Sequence, residues 1–101
     1  MIGGVYETQT QLFSKKIRVG EIRIYAEPFA ANNSFTFALI GSNNGVIAGS
    51  SQTFTPTVGD DFVRYSPAIA PTFALGTRIT NTGTANFTIT KIEVDWTPAG
   101  N

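Results

Sequence analysis

The chain contains neither cysteine nor histidine, and only 14% of its residues are charged. Without cysteine it has no disulfide, no thiolate nucleophile and no thiolate metal site. Without histidine it lacks the commonest general base and the commonest transition-metal ligand. No Gly-rich phosphate loop, Ser-centred nucleophile motif or metal quartet takes their place. The sequence therefore predicts a protein that is not an enzyme and that uses no cofactor.

The charges that are present balance, with seven basic and seven acidic residues. Nucleic-acid binding needs clustered Lys and Arg to replace phosphate counterions, so nucleic acid is not an expected partner. The chain has no polybasic anchor, and its apolar runs are far shorter than a membrane span. The N-terminal MIGGVYETQT lacks the basic and apolar regions of a secretory signal. Low net charge gives weak colloidal protection, which favours a place inside a larger assembly.

Composition indicates an all-β protein. Thr, Ile and Val supply 30 of the 101 residues, whereas Leu, Lys, Glu and Met together supply 11. β-Branched residues lose rotamer freedom in helices and pack well on pleated sheets. A chain of this length can bury one core. We expect one β-sandwich domain over residues 15–97, an arm or edge strand over 1–14, and a tail over 98–101.

Two distant segments share an unusual pattern. Residues 16–26 read KIRVGEIRIYA, and residues 86–96 read NFTITKIEVDW. In each, apolar side chains alternate with polar ones, slip by one residue, and then alternate again. One inserted residue in a half-buried strand produces this pattern, because it returns the following side chains to the core face. We predict two adjacent, antiparallel strands, each with a bulge or a corner.

Turn residues recur about every ten positions, as in antiparallel sandwiches of the jelly-roll or galactose-binding-like kind. About eight strands are expected, with the eight Phe and Trp96 mainly in the core. Phe73 in particular is predicted to point inward. Residues 5–13 are an edge strand or an extended segment laid on a neighbouring molecule. The other predicted strands cover residues 34–41, 46–49, 51–57, 62–65 and 72–80.

Aromatic residues supply the candidate binding site. Tyr25, Tyr65 and Trp96 would form a flat platform for a sugar ring if they were exposed together, with Asn32 and Asn33 in a nearby loop as hydrogen-bonding partners. Tyr25 opposes the inward parity of its neighbours and should lie on the outer face. The alternative is that Tyr25 is covered by a loop or a partner subunit. Carbohydrate is thus one candidate ligand.

Asp60 and Asp61 follow Gly59 in a turn and form a candidate calcium pair, since calcium prefers several oxygen ligands from a flexible loop. Two carboxylates are few for such a site. The alternative is that they bond backbone N–H groups within the turn.

Glu93 and Asp95 form a second acidic pair, with the spacing of alternate residues on one strand face. Two carboxylates at such a separation resemble the catalytic pair of a glycosidase. Arg18 and Arg23 share the corresponding face of the first strong strand. Cross-strand ion pairs are therefore the preferred interpretation.

Four runs carry a family resemblance: FSKKIRVGEIRIYAEP, NSFTFALIGSNNGVIAGSSQTF, GDDFVRY and PTFALGTRITNTGTANFTITKIEVDW. Together they resemble a small β-sandwich module of virion proteins in tailed bacteriophages, most closely those of the crAss-like group. The resemblance implies a structural protein of the virion, assembled in the bacterial cytoplasm. It would be an auxiliary or decoration protein, present in many copies and bound to capsid protein. The alternatives are a carbohydrate-binding module and a tail-associated module. The resemblance supplies no site residues.

Overall fold

A computed structural model describes residues 5–7, 11–43 and 45–99 of the chain. Predictions about residues 1–4, 8–10, Asn44 and residues 100–101 lie outside this part. Seven strands are formed, and the described residues contain no α-helix. Within the same ranges no helix has the length and apolarity that crossing a membrane requires. The strands are β1 (Val5–Glu7), β2 (Gln11–Ala26), β3 (Phe35–Ile40), β4 (Gln52–Phe54), β5 (Phe62–Tyr65), β6 (Thr72–Asn81) and β7 (Ile89–Pro98).

The strands form an antiparallel β-sandwich, which confirms the predicted fold class. The first sheet has the order β4–β3–β6–β1. In the second sheet β2 lies between β7 and β5. The beginning of β2 also pairs with β6, through Gln11 and Leu12. The long strand β2 therefore belongs to both sheets and joins them.

The two segments with matched patterns form the antiparallel pair β2–β7, as predicted. The first irregularity lies on β2, where Val19 pairs with Trp96 but Ile22 pairs with Val94. The second lies at the other end of the ladder, on β7, between Ile89 and Lys91. Each strand therefore carries one inserted residue. Between its end pairs, Ile17–Pro98 and Ala26–Ile89, the ladder spans the same number of residues on both strands.

The core lies between the two sheets. Each of the two sheets contributes alternate side chains to it, as the period of a pleated strand requires. Its largest members are aromatic rings, which pack at centroid distances of 5.2–6.4 Å. The buried cluster consists of Ile22, Ile24, Phe29, Phe35, Phe37, Leu39, Ile79 and Phe87.

The predicted return strand over residues 46–49 is wrong. Only one isolated bridge forms there, between Ile40 and Val46. Gly49, at a φ of +83°, lies in the turn that leads to Ser50 and β4. The hydroxyl of Ser50 then accepts a hydrogen bond from Leu39 N (3.1 Å) and donates one to Ile47 O (2.7 Å). A side chain thus supplies contacts that a second strand would have made.

The N-terminal region and Phe73 also differ from expectation in part. Among the described strands, β1 pairs with β6 alone and is an edge strand, which agrees at Val5–Glu7 with one of the two alternatives for residues 5–13. β2 begins at Gln11, inside the predicted arm. Phe73 is wrongly predicted as a core residue, because its ring is 50% exposed and lies under the ammonium group of Lys16, at 5.6 Å.

Candidate functional site

The outer face of the second sheet carries a cluster of opposite charges centred on Arg23. Arg23 lies directly opposite Glu93 and donates from Nε to its carboxylate (3.1 Å). Two further hydrogen bonds, of 2.9 and 2.7 Å, run from Nη1 and Nη2 to both oxygens of Asp95. Nη1 also donates to Glu21 (2.9 Å). The predicted cross-strand ion pairs are confirmed for Arg23, and the bidentate contact with Asp95 is the strongest geometry for such a pair.

These contacts determine what the acidic pair does. Hydrogen bonds from Lys91, Arg23 and Tyr25 lower the pKa of Glu93 to about 2. The hydrogen bond from Arg23 also lowers the pKa of Asp95. A glycosidase needs one carboxyl group whose pKa is raised, so that it stays protonated and can act as an acid. Glu93 and Asp95 are both held in the ionised form, which is the opposite arrangement.

Tyr25 lies on the same outer face, as predicted, but it is enclosed by its neighbours. Its ring packs against Phe62 at a centroid distance of 4.9 Å. The ammonium group of Lys91 lies 5.6 Å from the ring centre, and the hydroxyl donates to Glu93 (2.9 Å). The ring is therefore part of the packing of the sheet surface.

Tyr65 does not join an exposed platform, which corrects the prediction. Its ring packs edge-on against Phe37 and Phe54, at centroid distances of 5.9 and 5.5 Å. Its hydroxyl donates to the carbonyl of Ser50 (2.5 Å). Burial raises the pKa of this phenol. Tyr65 therefore belongs to the margin of the core, because it points inward from β5.

The two loop asparagines have structural partners. Asn33 is buried, and its Nδ2 donates to Asn81 Oδ1 and to the carbonyl of Ala85, both at 3.2 Å. Its Oδ1 accepts from the N–H of Ala85 (3.3 Å). Asn32 is exposed, and its Oδ1 accepts from the N–H of Val58 (3.0 Å). Asn33 thus holds two loops together, and the hydrogen bonds of both amides go to loop residues and to Asn81 at the end of β6 instead of to a shared platform.

The carboxylate of Asp60 follows the turn interpretation, and Asp61 joins the turn through its backbone. Asp60 Oδ2 accepts from the backbone N–H and the hydroxyl of Thr57, at 2.9 and 3.3 Å. The carbonyl of Asp61 accepts from Ala26 N (2.9 Å) and ties the turn to the end of β2. Among the described residues, no three acidic side chains come together as metal ligands would.

Of the three aromatic residues of the predicted platform, Trp96 is the one that remains available at the surface. It is 46% exposed, which corrects its predicted place in the core. Val94, two residues earlier on β7, still packs against the core cluster. Val19, the partner of Trp96 on β2, also packs against this cluster, so Trp96 lies at the margin of the core rather than inside it. Alternation along a strand predicts which face a residue occupies, but it does not predict where the facing sheet ends.

Two grooves meet at the Trp96 ring. One, of about 570 Å³, is lined by Arg18, Val19, Gly20, Val94, Asp95, Trp96 and Thr97. The other, of about 210 Å³, is lined by Phe13, Ser14, Lys15, Lys16, Ile17, Trp96 and Pro98. Phe13 packs against the indole at a centroid distance of 5.1 Å and an interplanar angle of 60°. This contact and the paired strands hold the ring in place. We call the two grooves together the Trp96 groove.

Sequence reasoning missed most of the Trp96 groove. Phe13 falls in the segment assigned to the N-terminal arm, and Lys15 and Lys16 carry no motif. A signal is present in the run FSKKIRV, where an aromatic residue precedes three cations within six positions. That run becomes informative only when β2 is paired with β7, which brings Trp96 beside it.

Comparisons with known proteins establish the fold. No protein-family profile matches the chain, and no curated protein matches it in sequence. The solved structure of a fucose-binding module from Streptococcus pneumoniae is similar, with a TM-score of 0.53 and 17% identity. The similarity covers 89% of this chain and 68% of the chain of that module. At this level of identity it supports the β-sandwich architecture alone.

Proposed function

We propose that this protein is a non-catalytic module that binds carbohydrate in the Trp96 groove. The observation that carries the proposal is a half-exposed indole, held by Phe13 on paired strands and flanked by polar and charged side chains. The flat aromatic face fits the apolar C–H face of a pyranose ring. The neighbouring polar groups would bond its hydroxyl groups.

The dimensions and rigidity of the site support this proposal. The larger groove falls within the range of roughly 300–1,000 Å³ that is usual for small-ligand sites. Both of its walls are strands, so binding would order few new groups and would lose little conformational entropy. A fucose-binding module has a similar fold, which makes a sugar ligand compatible with the architecture.

The test uses the single tryptophan of the chain as its own probe. A glycan panel is screened by affinity electrophoresis, and binders are then titrated while the indole fluorescence is recorded. We expect a spectral shift on binding and loss of binding in Trp96→Ala. Phe62→Ala is the matched control, because it also removes a partly exposed aromatic ring of the same sheet. The absence of any glycan ligand, or binding that survives Trp96→Ala, would contradict the proposal.

A second candidate function is the structural role that the sequence resemblance implies, as an auxiliary protein on the capsid of a tailed phage. A specific observation favours it. Leu12 is 72% exposed, Phe73 is 50% exposed, and both lie on the part of the β2–β6 pair that leads to the Trp96 groove. Leu12 pairs with Ala74, so Leu12 and Phe73 project from opposite faces of the pair, and each exposes apolar surface that a neighbouring subunit could cover.

The structural role is tested in purified particles. If the chain is a virion component, quantitative mass spectrometry finds it in many copies per particle, and cross-linking places Leu12 and Phe73 against capsid protein. Leu12→Ser and Phe73→Ser are then expected to reduce its occupancy, whereas Val58→Ser, at another exposed apolar residue, is not. Particles without the chain would rule this role out.

A further inference from the structure

The charged side chains of this neutral protein are sorted by position. Six of them form a balanced group on the outer face of the second sheet, with three cations and three anions: Arg23, Arg64, Lys91, Glu21, Glu93 and Asp95. Because these charges pair with one another, the group leaves little net field at the surface.

Four cations are not part of that group, and three of them lie together near the start of β2. Lys15, Lys16 and Arg18 are exposed, and all three line the Trp96 groove. None of the carboxylates between residues 11 and 99 forms an ion pair with them. Asp95, the carboxylate in the groove wall, is bound at both oxygens by Arg23. The groove is therefore positively charged.

The unpaired acids lie far from this groove. Glu27, Asp60 and Asp61 are exposed at the opposite end of β2, where Asp60 and Asp61 accept backbone hydrogen bonds from Phe29 and Ala26. About ten residues of extended strand separate the two groups, which is roughly 30 Å. Exposed charges this far apart are screened from each other at physiological salt, so the acids do not neutralise the groove.

We propose that the ligand of the Trp96 groove is an acidic polysaccharide whose sugars carry carboxylate groups. This inference rests on the proposed function and names its substrate class. Trp96 would stack on one ring while Arg18 in one groove, and Lys15 and Lys16 in the other, bind carboxylates on either side of it. Because cations flank the indole in both directions, a polymer with repeated charges fits better than a single sugar.

The experiment compares polygalacturonate with its methyl ester, which has the same backbone and linkage but no charge. Binding of each polymer to the full chain is measured by the fluorescence of Trp96 at low and at high salt. We expect the acid form to bind about tenfold more tightly at low salt, since three exposed charge contacts add together. Added salt should reduce that difference.

Two matched variants test whether the cations of the Trp96 groove, rather than other cations of the sheet, bind the acidic polymer. Arg18→Gln removes an exposed cation inside the groove, and Arg64→Gln removes one outside it on the same sheet. We expect Arg18→Gln to weaken binding of the acid form roughly two- to fivefold and to leave binding of the ester unchanged. Arg64→Gln should change neither.

Several outcomes would overturn the inference. Equal binding of acid and ester would show an uncharged ligand and leave the proposed function standing. Equal effects of Arg18→Gln and Arg64→Gln would show attraction by overall charge rather than by the groove. Competition by single-stranded DNA as effective as that by polygalacturonate would show a general polyanion surface. If no glycan of any kind binds, the proposed function fails as well.

Discussion

Phe37 is fully buried between the two sheets and contacts the ring of Tyr65. Truncating a ring at such a position removes its burial and leaves a cavity. We expect Phe37→Ala to lower the free energy of unfolding by about 3–5 kcal/mol, measured by urea denaturation. Phe73→Ala is the control, because half of that ring is already in solvent. Equal urea midpoints for Phe37→Ala and the unchanged protein would show that Phe37 is not a core residue.

Position 83 has room for glycine but not for a larger residue, because the buried amide of Asn33 lies against it. A Cβ at residue 83 would lie 1.7 Å from Asn33 Oδ1, whereas one at Gly20 would make ordinary contacts at 3.6 Å. We therefore expect Gly83→Ala to cost about 2 kcal/mol or more, and Gly20→Ala to cost little.

A double-mutant cycle tests the cause of the Gly83→Ala effect. In an Asn33→Ala background the clashing oxygen is gone, so adding Gly83→Ala should cost less than it does alone. Thermal unfolding of the four proteins measures this coupling. Strictly additive effects would mean that the clash is relieved in some other way.

Much of the inside–outside pattern could be predicted residue by residue. Alternation placed Ile22 and Ile24 in the core and Tyr25 outside, and the structure agrees. Trp96 and Phe73 were assigned wrongly because alternation carries no information about the extent of the opposite sheet. The buried clamp of Asn33 was also missed, since a side chain that bonds a distant loop leaves no local pattern.

At the scale of the strands, the two bulges of the β2–β7 pair show how a deletion would be tolerated. Gly20 and Glu21 together oppose Asp95, so removal of Gly20 would leave a regular ladder with every apolar side chain on its original face. We expect the Gly20 deletion to fold, with a loss of about 2 kcal/mol at most.

Deletion of Arg23 is the matched comparison for the Gly20 deletion. It removes a residue from the regular part of the same ladder, so side chains on one side of the gap must change faces. We expect this variant to be unfolded by circular dichroism. Equal tolerance of both deletions would show that the register of β2 is not fixed by its bulge.

The Arg23 cluster makes the stability of the pair depend on pH. The folded pKa values of Glu93 and Asp95 are lowered, so their contribution is present above the unfolded values and is lost as pH falls. For Glu93 the loss occurs between pH 4.5 and about 2. We expect Arg23→Gln to reduce this loss, measured as melting temperature against pH.

Arg64→Gln is the control for the pH experiment, because Arg64 lies 3.9 Å from Glu21 and does not contact Glu93 or Asp95. High salt should also flatten the profile of the unchanged protein, since these charges are partly exposed. If Arg23→Gln kept the full acid dependence, the stabilisation of the two carboxylates would come from elsewhere.

The positions of the strands were largely predictable from the sequence, whereas most of their pairing partners were not. The prediction of residues 62–65 coincides with β5, and the matched slips identified β2 and β7 as neighbours. The pairing of β6 with β1, β2 and β3 left no comparable signal, because these contacts join segments far apart in sequence.

For the whole molecule, the position of β2 in both sheets predicts cooperative unfolding. Neither sheet can lose β2 without exposing the core that both sheets cover. We expect one transition in urea, with the same midpoint by far-UV circular dichroism and by the fluorescence of Trp96. Because Trp96 lies at the margin of the core, an earlier transition of its fluorescence would show that the end of the β2–β7 pair unfolds separately.

The separation of Lys15, Lys16 and Arg18 from the unpaired acids has a consequence that the formal charge of zero conceals. A neutral protein whose positive and negative charges lie at opposite ends does not migrate in a uniform electric field, but it experiences a torque. Near a cell envelope or another negatively charged boundary, it would rotate until its long strand β2 stands upright. The indole of Trp96 would then arrive first, before any short-range contact has formed.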